Sequence, residues 1–336
     1  MGLPREPSGC RIRPRPAASL EAPGPDIETA PRPRAAQARH REMGGIVMRV
    51  MFLTVLLCCS IALRPQEARA WSDAGHMVVA LIADHYLEPA VREKVNALLA
   101  SDTDKLTKRD IASAATWADK YRDSDFKTTK RRYNQTYWWH FVYTGEPCTG
   151  QSASPRGAAA SNGPAKDCIV TKINQFAEEL AAPSTPQKER VIALKFLLNL
   201  VADLHEPIRA SDNLGALTMR ATAPGLKPAT LFRYWETDFV GLLGKDPRQI
   251  AEAMIPKITT ADVAAYNKGA PENWARQSLE IARDQAYGKL PPPGPKGVYA
   301  LDAAYVQAGV DTTRMQLVKA GIRLATVLNK ALAAQR

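Results

Sequence analysis

The sequence predicts an all-α protein whose folded part is one domain. Three observations carry that reading. Apolar residues recur at helical spacing in segment after segment downstream of residue 71. Alternating strand patterns are scarce, and only 137–143 is compatible with an extended stretch. The region 71–336 is long enough to bury one large core.

Taken in order, 76–86 (HMVVALIADHY) carries an apolar stripe and 91–99 repeats it. The segment 111–121 is Ala-rich, with Trp117 and Asp119 near its end. Helices follow at 169–180 and 190–205; the second is strongly apolar and is stopped by Pro207, which cannot continue a helix. The segments 231–243, 247–255, 271–286 and 312–334 complete the set. Gly- and Pro-bearing stretches at 223–228 and 291–297 read as surface loops, and no internal repeat occurs.

Upstream, 48–70 has the form of a secretory signal: Arg49, an apolar run from Met51 to Leu63, then Ala68-Arg69-Ala70 as a small-x-small cleavage site. The run is too short to span a bilayer, so the expectation is a cleaved signal, no membrane anchor, and a periplasmic or secreted, monomeric product. Residues 1–47, rich in Arg, Pro and Ala, read as a disordered extension from a translation start placed too early, with Met48 the working one. Cleavage after Ala70 makes Trp71 the first residue, with a free α-amino group five residues ahead of His76.

The formal charge of +11 overstates that of the folded part. Residues 1–70 hold 11 Arg against 6 Asp and Glu, leaving +6, which suits a polyanionic substrate without requiring one. Cys148 and Cys168 are an even pair in an exported chain, which predicts a disulfide closing the small-residue loop between them. Such a closure contributes about 3 kcal/mol in the chain-entropy model.

Several polar residues sit at chemically suggestive places. Asn199 and Asp203 are i and i+4 on an otherwise apolar helix, so they share a face, and a buried carboxylate there needs a cation or donors. Asp119 follows Trp117, and His140 closes the aromatic run Tyr137-Trp138-Trp139. His85 and His205 read as structural, and His-Glu-Pro at 205–207 lacks the second His of a metalloprotease motif.

In order, Trp71…His76, Trp117-Ala118-Asp119, Trp139-His140-Phe141, the run Leu200 to Pro207 (LVADLHEP) and Tyr234-Trp235-Glu236 resemble one family. It is the zinc-dependent, single-strand-specific nucleases (the S1/P1 nuclease family), whose fold is shared by zinc phospholipases C. The resemblance implies an all-helical scaffold and three zinc ions. It assigns the first ion to Trp71, His76 and Asp203, and the second to Asp119, His140, Asn199 and the bridging Asp203. The third falls on Arg209, Phe232 and Glu236.

Here the chain departs from the family. Asn199, Arg209 and Phe232 stand where the family has histidines. Phe232 has no donor atom, Arg209 has no lone pair, and Glu236 alone cannot hold zinc beside it. Asn199 offers a neutral carbonyl, poorer for zinc than imidazole. One or two ions are therefore expected. Arg209 is expected either to replace the lost ion electrostatically, with help from Arg233, or only to pair with Glu236 in a decayed site. The resemblance assigns Phe141 to base stacking, with core packing as its ordinary role.

The resulting expectation is an endonuclease that hydrolyses single-stranded DNA or RNA through Asp119, Asp203 and Arg209. The alternatives are a zinc-containing, non-catalytic nucleic-acid or phosphate-binding protein, and a phospholipase C-like phosphoester hydrolase.

Overall fold

Helix α1 (Asp73–Tyr86) begins two residues after Trp71 and buries Val78, Val79, Ile82 and Ala83 at helical spacing. The computed structural model describes residues 71–142, 167–211 and 214–333, all of which belong to one compact unit, Glu67–Arg336. α2 (Pro89–Ala100) opens on a proline, whose missing N–H costs nothing in a first turn.

The single helix expected over 111–121 is two. α3 (Ile111–Ala114) is capped by Asp110, which accepts from the Ser113 N–H at 2.9 Å, and α4 (Trp117–Asp123) follows after a break at Ala115 and Thr116. α5 (Arg131–Thr136) was not legible, and it runs into a 3₁₀ turn, Tyr137–His140. The extended reading of 137–143 is thus corrected at 137–140, while Phe141, just past the turn, has extended φ and ψ and Tyr143 lies outside the described residues. Tertiary packing overrides strand propensity here, because Trp139 is fully buried against Phe176 and Phe196.

α6 (Ile169–Ala181) packs on α7 (Gln187–Leu204), which is buried on every side from Ala193 to Leu204 and forms the axis of the domain. Beyond it lies a small sheet that the sequence did not announce. β1 (Arg220–Thr222) pairs antiparallel with β2 (Ala229–Thr230), and β1 also pairs parallel with β3 (Tyr299–Ala300). Strands of two or three residues are too short to show a period of two.

The helix expected over 231–243 is present but carries a π segment. α8 (Leu231–Arg233) passes through Tyr234–Asp238 in π geometry into α9 (Phe239–Leu243). α10 (Pro247–Met254) and α11 (Thr260–Tyr266) follow, the latter closed by a capping box between Thr259 and Asp262. α12 (Pro271–Ile281) likewise ends in a π segment, Ala282–Tyr287.

The last helix, α13 (Ala303–Ala333), is longer than the apolar pattern suggested and lies against α1 along much of its length. A Cβ at Gly321 would stand 2.6 Å from the Ile82 Cβ, so the two helices approach this closely only because residue 321 has no side chain.

Two apolar clusters result. The larger joins α1, α6, α7 and α13; the smaller surrounds the sheet and includes Phe141, Ile208, Phe232, Trp235 and Tyr305. The fold is all-α apart from that sheet. Among the described residues no helix is long and apolar enough to cross a membrane.

Candidate active site

The candidate residues meet where the two clusters join. Trp71 is buried, and the Ser72 N–H donates to the Glu236 carbonyl at 3.0 Å, tying the start of the fold to the π segment. Such segments break the regular helical hydrogen-bond ladder and recur at functional sites. His76 lies in the first turn of α1, Asp119 in the first turn of α4, and His140 ends the 3₁₀ turn. Asn199 and Asp203 share one face of α7 as their spacing predicted. Arg209 emerges from the tight turn after α7, where the Glu206 carboxylate accepts the N–H groups of Ile208 (3.2 Å) and Arg209 (3.0 Å).

Asp203, with no exposed surface, is the hub. Its Oδ1 faces His76 Nε2 at 3.2 Å and Arg209 Nε at 3.5 Å, and its Oδ2 faces His140 Nδ1 at 2.6 Å. Asp119 stands opposite, 3.9 Å from the same nitrogens of both histidines. It accepts from Asn199 Nδ2 at 2.8 Å and pairs with Arg122 Nη1 at 2.8 Å. Arg209 also reaches Glu236 at 3.4 Å, and its guanidinium lies 4.7 Å from the Phe141 ring centroid and 5.3 Å from that of Phe232.

The charges explain the protonation states. Burial alone would raise the pKa of Asp203, but the Arg209 charge and the bonds from His140 and His76 hold it far below the ordinary range. Burial likewise opposes ionisation of Asp119, and the Arg122 charge overcomes it. His76 is pulled down by burial and up by its bond to Asp203 and the charges of Asp203 and Asp119; the upward pull wins. Burial pushes Glu206 up to about 7 and Glu236 well above the usual carboxylate value, against the Arg209 charge in both cases. Two carboxylates held in the ionised form, Asp119 and Asp203, therefore face two guanidiniums.

The donor set can be tested against the zinc that the motifs imply. His76 Nδ1, His140 Nε2 and Asn199 Oδ1 are buried without a hydrogen-bond partner, each being the atom of its group that does not face the two carboxylates. That mixture of imidazole and carboxylate suits a borderline cation. Zinc bonds of about 2.0–2.2 Å set neighbouring ligand atoms roughly 3.3 Å apart. The His76–Asp203 separation of 3.2 Å fits, whereas His140–Asp203 at 2.6 Å is a closed hydrogen bond that would have to open. Among the described residues no group of three or more His, Cys, Asp or Glu is arranged to hold a metal as it stands. The imidazoles and carboxylates suit the two ions that the motifs assign to Trp71, His76 and Asp203 and to Asp119, His140, Asn199 and Asp203, once the His140–Asp203 bond opens. A third does not fit, because the Arg209 guanidinium lies beside Glu236 and Phe232.

Other sequence readings land as follows. Arg233 pairs with Asp238 at 3.5 Å and takes no part in the cluster, which corrects the expectation that it assists Arg209. Phe141 is buried, packed over Arg209 and against Tyr137. His205 has a structural setting: its Nδ1 faces the Val201 carbonyl at 2.7 Å and its Nε2 faces Arg323 Nη1 at 2.7 Å. His85 is exposed, with its ring edge-on to Tyr86. Cys168 starts α6, and its expected partner Cys148 lies outside the described residues. Sequence reasoning missed Arg122 and Glu206. Arg122 had a usable signal, being three residues after Asp119 on one helix face.

The S1/P1 Nuclease family profile matches residues 71–333. Endonuclease 2 of Arabidopsis thaliana is 23% identical over 309 residues, covering 85% of this chain and 97% of its own. Nuclease PA3 of a Penicillium species and nuclease P1 of Penicillium citrinum are each 24% identical over 277 residues, covering 77% of this chain and 97% of theirs. The match begins at Trp71, where the buried site begins, and ends with α13, so this chain belongs to the S1/P1 nuclease family.

Proposed function

We propose that this chain is a nuclease that hydrolyses phosphodiester bonds in single-stranded nucleic acid, using one or two zinc ions held by His76, Asp119, His140 and Asp203. One observation carries the reading: two imidazoles and two carboxylates from four separate segments converge in a buried site flanked by two guanidiniums. The names of the relatives support the reaction class, and the unspent donor atoms support a metal.

A bound metal in such a site activates water for attack on phosphorus. The chain's own residues supply the rest. Asp119 and Asp203 stay ionised as ligands because Arg122 and Arg209 neutralise them. Asn199 holds Asp119 in place through its amide. Arg122 and Arg209 are fixed positive groups near the position where phosphate charge develops. Arg209 stands at the position of the third ion's lost ligands and supplies a positive charge there.

The signal-like segment 48–70 supports export to the periplasm or medium, with Trp71 at the mature N-terminus, a Cys148–Cys168 disulfide and a monomer. The test is to purify the exported chain and count its zinc by elemental mass spectrometry. Hydrolysis of single-stranded DNA, RNA and phosphatidylcholine is then assayed in parallel. One to two zinc ions with cleavage of nucleic acid are expected, and zero zinc overturns the reading. Arg209→Ala should abolish turnover while zinc content stays the same; an unchanged rate removes Arg209 from the mechanism.

A second reading is favoured by the same arginine. Its pairing with both Asp203 and Glu236 also suits a non-catalytic protein that binds nucleic acid or phosphate and keeps structural zinc. Bound zinc without hydrolysis of any of the three substrates would select it.

A further inference from the structure

We propose that residues 126–138 form a docking track that delivers single-stranded nucleic acid to the His140–Arg209 site, a proposal that rests on the nuclease reading for its destination. The stretch 120–132 holds six Lys or Arg against two Asp, interleaved with aromatics (KYRDSDFKTTKRR, then Tyr133). Interleaved cations and aromatic rings are the two components that bind single strands without regard to sequence.

The structure shows what becomes of those charges. Asp123 is spent on Arg122, at 2.7 Å. Asp125 is spent on the backbone: its carbonyl accepts from the N–H groups of Thr128, Thr129 and Lys130, and its carboxylate accepts from Thr129 Oγ1 (2.8 Å) and the Arg132 N–H (2.8 Å). These bonds hold a tight turn in which Lys130 takes a left-handed φ of 54°. The turn is therefore shaped by local bonds, and its cations are left over. Lys127, Lys130 and Arg131 are exposed and form no ion pair among the described residues.

The rings form a continuous path inward. Phe126 meets Tyr133 at 4.7 Å between centroids, Tyr133 meets Tyr137 at 5.0 Å, and Tyr137 meets Phe141 at 5.3 Å. Phe141 lies over the Arg209 guanidinium at 4.7 Å. Phe126, Tyr133, Tyr137 and Trp138 are all half-buried, whereas Trp139, next in sequence, is fully buried. A purely structural aromatic cluster would bury its rings as Trp139 does. This one stays half-buried beside exposed cations, of which Lys130 lies over the Phe126 ring at 5.2 Å, and ends on the arginine of the site. Bases stack on the outer rings, Phe126 and Tyr133, while phosphates lie along Lys127, Lys130 and Arg131. The strand then enters past Tyr137.

The test measures binding apart from cleavage. A short labelled oligothymidylate with phosphorothioate linkages keeps its charges and bases while resisting hydrolysis, and its fluorescence anisotropy is titrated with the full chain across a salt series. The combined variant Lys127→Ala, Lys130→Ala, Arg131→Ala should lower the slope of log K against log salt by about two, since each lost single-strand phosphate contact removes about 0.7. Tyr133→Ala should weaken binding by roughly 5- to 150-fold, the span of a base–aromatic stack, and Tyr133→Phe should restore it. Hydrolysis of bis(p-nitrophenyl) phosphate, too small to use the track, should be unchanged in every variant. An unchanged slope in the triple variant, or a duplex of equal length bound as tightly as the single strand, overturns the track. If binding weakens as expected but no strand is ever cut, the track stands and the nuclease reading falls. If strands are cut and neither substitution alters binding, the track falls alone.

Discussion

Asp203 concentrates the chemistry of the site in one carboxylate, since its two oxygens face His76, His140 and Arg209 with no water-exposed surface. Removing its charge strands a buried guanidinium, and breaking a buried pair typically costs about 3–5 kcal/mol. Asp203→Asn should therefore lower the thermal midpoint strongly and abolish zinc binding; a variant with wild-type zinc content would show that the ion lies elsewhere. His205 gives a pH prediction. Its burial, with the Arg323 charge beside it, lowers its pKa to about 3. Below the unfolded value near 6.5 the unfolded chain takes up a proton that the folded His205 refuses, so stability is full above that pH and lost as pH falls toward 3. The loss is on the order of 5 kcal/mol at its full extent. Urea unfolding of wild type and His205→Gln between pH 7 and pH 4 checks it: the wild type should lose stability more steeply, and parallel curves would refute the assignment. At this scale the convergence of His76, Asp119, His140 and Asp203 was legible because these residue types recur in the family's motifs and helical spacing aligned Asn199 with Asp203. Arg122 and Glu206 were not, because a charged residue reads as solvated until its burial is known.

At the scale of elements, the contact between α1 and α13 depends on Gly321. Gly321→Ala gains up to about 1 kcal/mol of helix propensity, but its methyl meets Ile82 and the Val79 carbonyl, and overpacking of that kind costs about 1–3 kcal/mol. A net fall in the thermal midpoint is expected, and a rise would mean that the helices separate without penalty. Long amphipathic helices such as α1, α7 and α13 could be read from apolar spacing, since tertiary burial and local periodicity agree there. The π segment at 234–238 could not. It is an inserted residue's worth of slack within a helical pattern, and it carries Glu236 and the carbonyl that receives the Ser72 N–H. The turn held by Asp125 was equally hidden, because its hydrogen bonds join a side chain to backbone groups up to eight residues on.

For the whole molecule, the site is assembled from α1, α4, the turn before Phe141, α7 and the π segment, so the proposed ion would link parts of the chain far apart in sequence. A chelator that removes zinc should lower the thermal midpoint, and added zinc should restore it in a concentration-dependent way, as mass action requires for a ligand of the folded state. An unchanged midpoint with or without the chelator would deny the metal any hold on the fold. The amino-acid sequence by itself determined the all-α class and the family, and it placed Asn199, Arg209 and Phe232 where the family motifs carry histidines. Those follow from residue type and spacing, which survive without coordinates. Only the tertiary structure decided what surrounds those positions. Arg209 lies between Asp203 and Glu236 with aromatic rings about it, and Arg122 neutralises Asp119. Whether a charge is paired, buried or left facing solvent depends on neighbours brought in from distant segments, and spacing along the chain carries no record of them.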